Sequence, residues 1–117
     1  MTRDLIDRVI AYHAAMNRLD LEAAAAMFTA GAEYHSPSVG AIYGKHALLA
    51  AFKAYFEEYP DQHAADDRLT FAGPDSVRSD WHLTATSKST GKAIARSGSA
   101  IMFFDHQGLI RRIEVLG

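Results

Sequence analysis

Residues 33–37 read Glu-Tyr-His-Ser-Pro, and an adjacent histidine and serine are the parts of a nucleophilic centre. The backbone decides whether they can act together. The run reads as a short strand closed by Pro37, and successive side chains on a strand point to opposite faces. His35 and Ser36 therefore cannot pair with each other. With Tyr34 and Ser36 turned inward, His35 points away. Ser36 then becomes a polar contact, because a serine hydroxyl needs an adjacent base to attack near neutral pH.

Three other groups could hold or move a proton. Tyr12 lies on an apolar helical stripe and can donate from its hydroxyl. His13 stands beside it at the stripe's edge, and an imidazole changes charge in the physiological range. Asp66 and Asp67 are neighbours on a strand, so one of them faces in. Asp67 shares the parity of Leu69 and Phe71, taken as the inner side, which predicts Asp67 as the inward carboxylate. Burial raises the pKa of such a group and makes it a candidate base. The alternative is that both aspartates lie at the strand's start, in water. His46, His63, His82 and His106 complete no helical i, i+4 pair and no alternating strand pair of the kind that binds zinc, so neither a metal nor a cofactor is expected.

The elements that must position these groups are legible from periodicity. Thr2 can cap a first helix with Asp4 in its first turn, and Leu5, Val9, Tyr12 and Met16 form one face of it. Asp20 caps a second helix, "LEAAAAMF", which Gly31 would close in the left-handed conformation. A short strand, "AEYHSP", and a loop, "SVGAIYG", follow. A third helix spans about Lys45 to Tyr59, with Leu48, Leu49, Phe52, Phe56 and Tyr59 as its apolar stripe and Pro60 as its stop. The second half then alternates with period two. Turns at 73–76, 89–92 and 105–108 separate strands around Leu69 and Phe71, around Trp81 and Leu83, over "RSGSAIMFF", and over "LIRRIEVL". Helices followed by hairpin-spaced strands predict an α+β fold with three N-terminal helices on one face of an antiparallel sheet.

The chain has 117 residues, 49% hydrophobic and 22% charged, which suits one globular domain over 1–117. It contains no cysteine. Disulfides, thiolate catalysis and cysteine-bound metal sites are excluded, and a reducing cytoplasm fits. The formal net charge is -2 with no basic patch, so no nucleic-acid partner is expected. "MTRDLIDRVI" has no apolar core of a signal peptide, and no apolar run approaches a membrane span. A cytoplasmic protein with no membrane association is the expectation. In the late strands Ala100, Met102 and Phe104 take one face, while Ile101 and Phe103 take the other with Leu116. That outer apolar strip predicts a homodimer through the outer sheet face.

Two helices, "LIDRVIAYHAAMNRLDLEAAAAMF", then a strand ending in proline, the helix start "GKHAL", "YPD", and a sheet ending in a hairpin before "GLIRRIEVL" together resemble the NTF2-like superfamily. Within it the chain looks like the SnoaL-like proteins related to ketosteroid isomerases and polyketide cyclases. The resemblance implies a curved sheet wrapped by helices into a cone around an apolar pocket, and often a dimer. It also implies roles. Tyr12, eight residues before Asp20, matches the isomerase tyrosine that donates to an oxyanion. Ser36, directly before Pro37, stands where the isomerase keeps its carboxylate base. Ala100 stands where it keeps a protonated aspartate. "RSGSAIMFF" also lacks the acidic residue that polyketide cyclases carry in this region. The isomerase proton shuttle is therefore not expected.

Two functional expectations follow. One is a small-molecule site for a hydrophobic ligand that could carry isomerase, cyclase or hydrolase chemistry. Its lining would be Tyr12, Met16, Tyr34, Ser36, Phe52, Phe56, Trp81, Leu83, Met102, Ile113 and Val115, with Tyr12, His13 and Asp67 as the groups that could do chemistry. The other is a non-catalytic dimerisation or ligand-binding module, with a filled or dry interior and a conspicuous outer interface.

Overall fold

A computed structural model describes residues 2–117, with side chains from Leu5 onward. The predicted capping roles of Thr2 and Asp4 lie outside the described side chains. Helix α1 (Thr2–Asn17) leads into α2 (Leu21–Ala25), strands β1 (Phe28–Ser36) and β2 (Gly40–Tyr43), helix α3 (Lys45–Glu58), and strands β3 (His63–Gly73), β4 (Ser76–Thr86), β5 (Ala93–Phe104) and β6 (Ile110–Val115). The six strands form one sheet in the order β2-β1-β6-β5-β4-β3. All neighbours are antiparallel except β1 and β6, which run parallel. This is the expected α+β arrangement, with the helices on the concave side of a curled sheet.

The concave face holds the core. Val9, Tyr12 and Met16 of α1 meet Leu48, Phe52 and Phe56 of α3 over Phe28, Val77, Met102, Phe104, Ile110 and Ile113 of the sheet. Leu48 and Val9 are fully buried, and each such side chain is worth roughly 1.5–3 kcal/mol of transfer free energy. The rings of Tyr12, Phe28 and Phe52 pack mutually with centroids 5.6 to 6.4 Å apart, within the range of favourable aromatic pairs.

Two local expectations are corrected. Helix α2 ends at Ala25, and its last residue is followed by Ala26 in a right-handed conformation rather than by a left-handed Gly31. Gly31 lies inside β1. The reason is tertiary: Ile110 N–H donates to Met27 O at 2.8 Å and Phe28 pairs with Ile110, so the chain joins β6 before the alanine run is exhausted. Part of the expected loop 38–44 is strand β2, paired with β1 from Glu33–Tyr43 to Ser36–Gly40. Gly44, at φ 91°, then turns the chain from β2 into α3, a conformation that a side chain disfavours. Asp20 does cap α2, its Oδ1 accepting from Ala23 N–H at 3.0 Å.

The convex face is polar between its apolar residues. Arg78 meets Asp80 at 3.2 Å, and Arg112 meets both Glu114 at 2.8 Å and Glu33 at 3.3 Å. Ile101 and Phe103 are half-buried here, Leu116 is exposed, and Arg111 lies over the Phe103 ring at 5.3 Å.

Candidate functional site

The last two turns of α1 are fastened to β3. Asn17 Nδ2 donates to Ala64 O at 2.8 Å, and Ala64 N–H donates to Asn17 Oδ1 at 2.9 Å, so the amide acts as a short extra piece of sheet edge. Gln62 Nε2 donates to Met16 O, which ties the same helix end again. Four residues along a helix rise about 6 Å. Two residues along a strand rise about 7 Å. Docking Asn17 on Ala64 therefore brings His13, one turn back, against Asp66, two strand positions on. His13 Nδ1 lies 2.9 Å from Asp66 Oδ2 and 2.8 Å from Oδ1.

Asp66, and not Asp67, is the inward aspartate. The register of β3 on β4 slips between Asp66 and Arg68, so Asp67 is the extra residue of a bulge. A bulge inverts the alternation beyond it. The inner parity of Leu69 consequently does not reach back to Asp67. Asp67 turns to the convex face, where its Oδ1 lies 2.8 Å from His82 Nδ1 and its side chain is 55% exposed. The expectation of a buried, basic Asp67 is overturned on this geometry.

Asp66 also accepts from Ser79 Oγ at 2.5 Å, and Ser79 is fully buried. Burial works against its ionisation, but the His13 hydrogen bond and charge, with the Ser79 hydroxyl, outweigh it and hold the carboxyl below its ordinary value. A carboxylate only accepts, so the bond to His13 requires an imidazole proton on Nδ1, and in the neutral ring the lone pair then lies on Nε2. No other protein group bonds His13 among the described residues.

His13 forms part of the wall of a cavity of about 330 Å³ between the helices and the sheet. Tyr12, Met16, Tyr34, Phe52, Trp81, Leu83, Met102, Ile113 and Val115 line it. Ser36 and Ser38 stand at its rim, their hydroxyls 3.1 Å apart. Phe56 is buried in the core but does not reach the lining. His35 sits outside, 2.9 Å from Glu33 and edge-on to Tyr43. The Glu33–Pro37 run thus contributes Tyr34 to the wall and Ser36 to the rim, with His35 behind the sheet. Ala100, where the isomerases keep an aspartate, also lines the cavity.

The lining includes residues that periodicity did not single out, among them Tyr55, Gln62, Ala64 and Arg96. The hydroxyls of Tyr12, Tyr34 and Tyr55 have no protein hydrogen-bond partner among the described residues. Burial, then the neighbouring Tyr34 and Tyr55, pushes the Tyr12 hydroxyl well above its usual range. Burial raises Tyr34 as well. Burial with Tyr34 and Tyr59 pushes Tyr55 up to about 12, against the opposing charge of Arg96. All three stay protonated and able to donate at neutral pH. The cavity therefore presents apolar walls, three phenolic donors and one imidazole, His13, oriented by Asp66. Among the described residues no cluster of three or more metal-ligating side chains occurs, and no helix is long and apolar enough to cross a membrane.

Solved structures share this architecture. An uncharacterised cystatin-fold protein from Novosphingobium aromaticivorans matches with a TM-score of 0.84 at 21% identity, over 97% of this chain and 97% of that one. RV0760c from Mycobacterium tuberculosis, solved with estradiol-17beta-hemisuccinate, matches with a TM-score of 0.83 at 16% identity, over 96% and 92%. The epoxide hydrolase/cyclase-like enzyme SalBIII, which has a role in pyran ring formation in salinomycin, matches with a TM-score of 0.87 at 17% identity, over 97% and 89%. No curated protein matches. At these identities the likeness shows the fold. The sequence itself matches the family model of the SnoaL-like domain over residues 9–113, and the chain belongs to that family.

Proposed function

We propose that this protein binds a small, largely apolar carbonyl compound in the cavity and moves a proton on it, with His13 as the general base. The observation that carries this reading is that His13, held by Asp66 behind it, stands in the wall of a largely apolar cavity. Asp66 accepts the hydrogen bond of Nδ1–H, so in the neutral ring Nε2 can accept a proton from a carbon next to the carbonyl. Tyr12 donates to the carbonyl oxygen as negative charge develops there. The imidazolium that forms is stabilised by Asp66, and Ser79 holds that carboxylate in place. Returning the proton elsewhere is an isomerisation, and attack of the enolate on a second carbonyl is a cyclisation. His13 here replaces the carboxylates missing at Ser36 and Ala100. The steroid derivative bound by RV0760c and the ring-forming role of SalBIII support a site for an apolar, oxygenated molecule on this scaffold.

The second reading is a binding module without chemistry, favoured by the absence of any carboxylate from the cavity lining among the described residues. One experiment separates them. A small ketone such as 2-tetralone, incubated with the protein in heavy water, reports proton abstraction as deuterium uptake by NMR. The expected result is uptake above the buffer rate that His13→Gln lowers by about 10²–10⁴-fold. Saturable binding of the ketone with no acceleration leaves the binding module. We further propose that two copies associate through the convex face around Ile101, Phe103 and Leu116.

A further inference from the structure

Among the described residues the lining of the cavity contains one guanidinium and no carboxylate, in a chain whose formal net charge is -2. Arg96 supplies it. In β5 it shares the inward parity of Ala100 and Met102, and it pairs across the ladder with Leu83, another lining residue. Its side chain is exposed, at the solvent end of the cavity. The convex-face arginines Arg78, Arg111 and Arg112 each meet a carboxylate, at 3.2, 3.6 and 2.8 Å. Arg96 meets none among the described residues. The imidazole of the wall, His13, already meets Asp66. Tyr55 stands near enough for the Arg96 charge to be felt at its phenol, and the hydroxyls of Tyr34 and Tyr55 add donors without protein partners.

Resting on the reading of the cavity as a ligand site, we propose that its occupant is an apolar acid whose anionic oxygens are held by Arg96. A planar guanidinium offers paired donors that match a carboxylate or a similar oxyanion, and a charge-assisted pair is about twice as strong as a neutral hydrogen bond. The apolar body would lie on Trp81, Leu83 and Phe52. A volume of about 330 Å³ is at the small end of ligand cavities. Arg96 then fixes which end of the molecule stays at the mouth, and so which carbon approaches His13.

The test uses two fluorescent probes with the same rings, 1-anilinonaphthalene-8-sulfonate and the neutral N-phenyl-1-naphthylamine. Arg96 is exposed and makes no ion pair, so Arg96→Gln keeps the fold, as circular dichroism checks. For the anionic probe the expected Kd of Arg96→Gln rises about tenfold over wild type, while the neutral probe changes by less than about twofold. Added salt should weaken the anionic probe on wild type and much less on the variant. If both probes shift together, or neither shifts, Arg96 does not select anions and the inference is overturned while the cavity reading stands. If neither probe binds the wild type, the cavity reading itself fails and takes this one with it.

Discussion

His13 and Asp66, 53 residues apart in the chain, are joined by a hydrogen bond of 2.9 Å between Nδ1 and Oδ2. The bond fixes which imidazole nitrogen can face a ligand. Asp66→Asn keeps the shape but can present an N–H to Nδ1, which moves the imidazole proton to Nε2. His13 would then offer a donor where an acceptor is needed. Deuterium uptake by a bound ketone should fall by about 10²–10⁴-fold, with its binding altered by less than about threefold. Equal uptake by wild type and Asp66→Asn would remove the pair from the chemistry.

The same pair sets part of the acid sensitivity. The Asp66 carboxyl is lowered from its ordinary 3.8 because the His13 bond and charge and the Ser79 bond outweigh the cost of burial. A folded value below the unfolded one means that the unfolded chain takes up the proton first. The contribution to stability is whole above the unfolded value and is lost as pH falls through the folded one. Urea midpoints should therefore drop as pH falls below about 4, and less steeply in Asp66→Asn. Other carboxylates such as Asp61 and Asp105, also lowered by hydrogen bonds, keep some acid sensitivity in the variant. Parallel curves for the two proteins would show that the pair contributes nothing to this dependence.

Much of the frame was legible because it rests on periodicity. Val9, Tyr12 and Met16 repeat at helical spacing and are all buried, and the alternation of Trp81 and Leu83 puts both on the cavity. Asp66 was hidden by the bulge at Asp67, a break in the alternation that no local residue announces. Strand β2, four residues between Gly40 and Tyr43, carries almost no pattern of its own and exists through its pairing with β1. Arg96 was within reach, since it lies an even number of residues from Met102 on the same strand. What hid it was its chemistry, because a charged residue on a strand is usually assigned to the solvent face.

Tyr12→Phe isolates the phenol. Its hydroxyl has no protein partner, so removing it leaves no buried group unsatisfied. Stability should change by less than about 0.5 kcal/mol, while affinity for a ketone falls by roughly 2- to 12-fold, the worth of one neutral hydrogen bond. Binding unchanged by calorimetry would take Tyr12 out of the site.

The proposed dimer rests on Ile101, Phe103 and Leu116, apolar groups set among ion pairs on the convex face. Phe103→Glu places a charge in the middle of that strip without touching the core on the other side of β5. Sedimentation equilibrium should give twice the chain mass for wild type and the chain mass for the variant. A monomeric wild type at high concentration would end the proposal.

Asn17 tests how far the site depends on its fastening. Asn17→Ala removes both bonds to Ala64 and leaves a backbone N–H and C=O without their partners. Each partly buried group so stranded costs about 1–3 kcal/mol, less whatever water recovers. The helix end is still held by Gln62 on Met16 O, so the expected loss is about 2 kcal/mol rather than unfolding. The sharper readout is local. The Ala64 amide should lose its protection from hydrogen exchange, and ketone deuteration should fall in step, because His13 meets Asp66 only while α1 is seated on β3. Loss of stability with deuteration intact would show that Asn17 supports the fold but does not position His13.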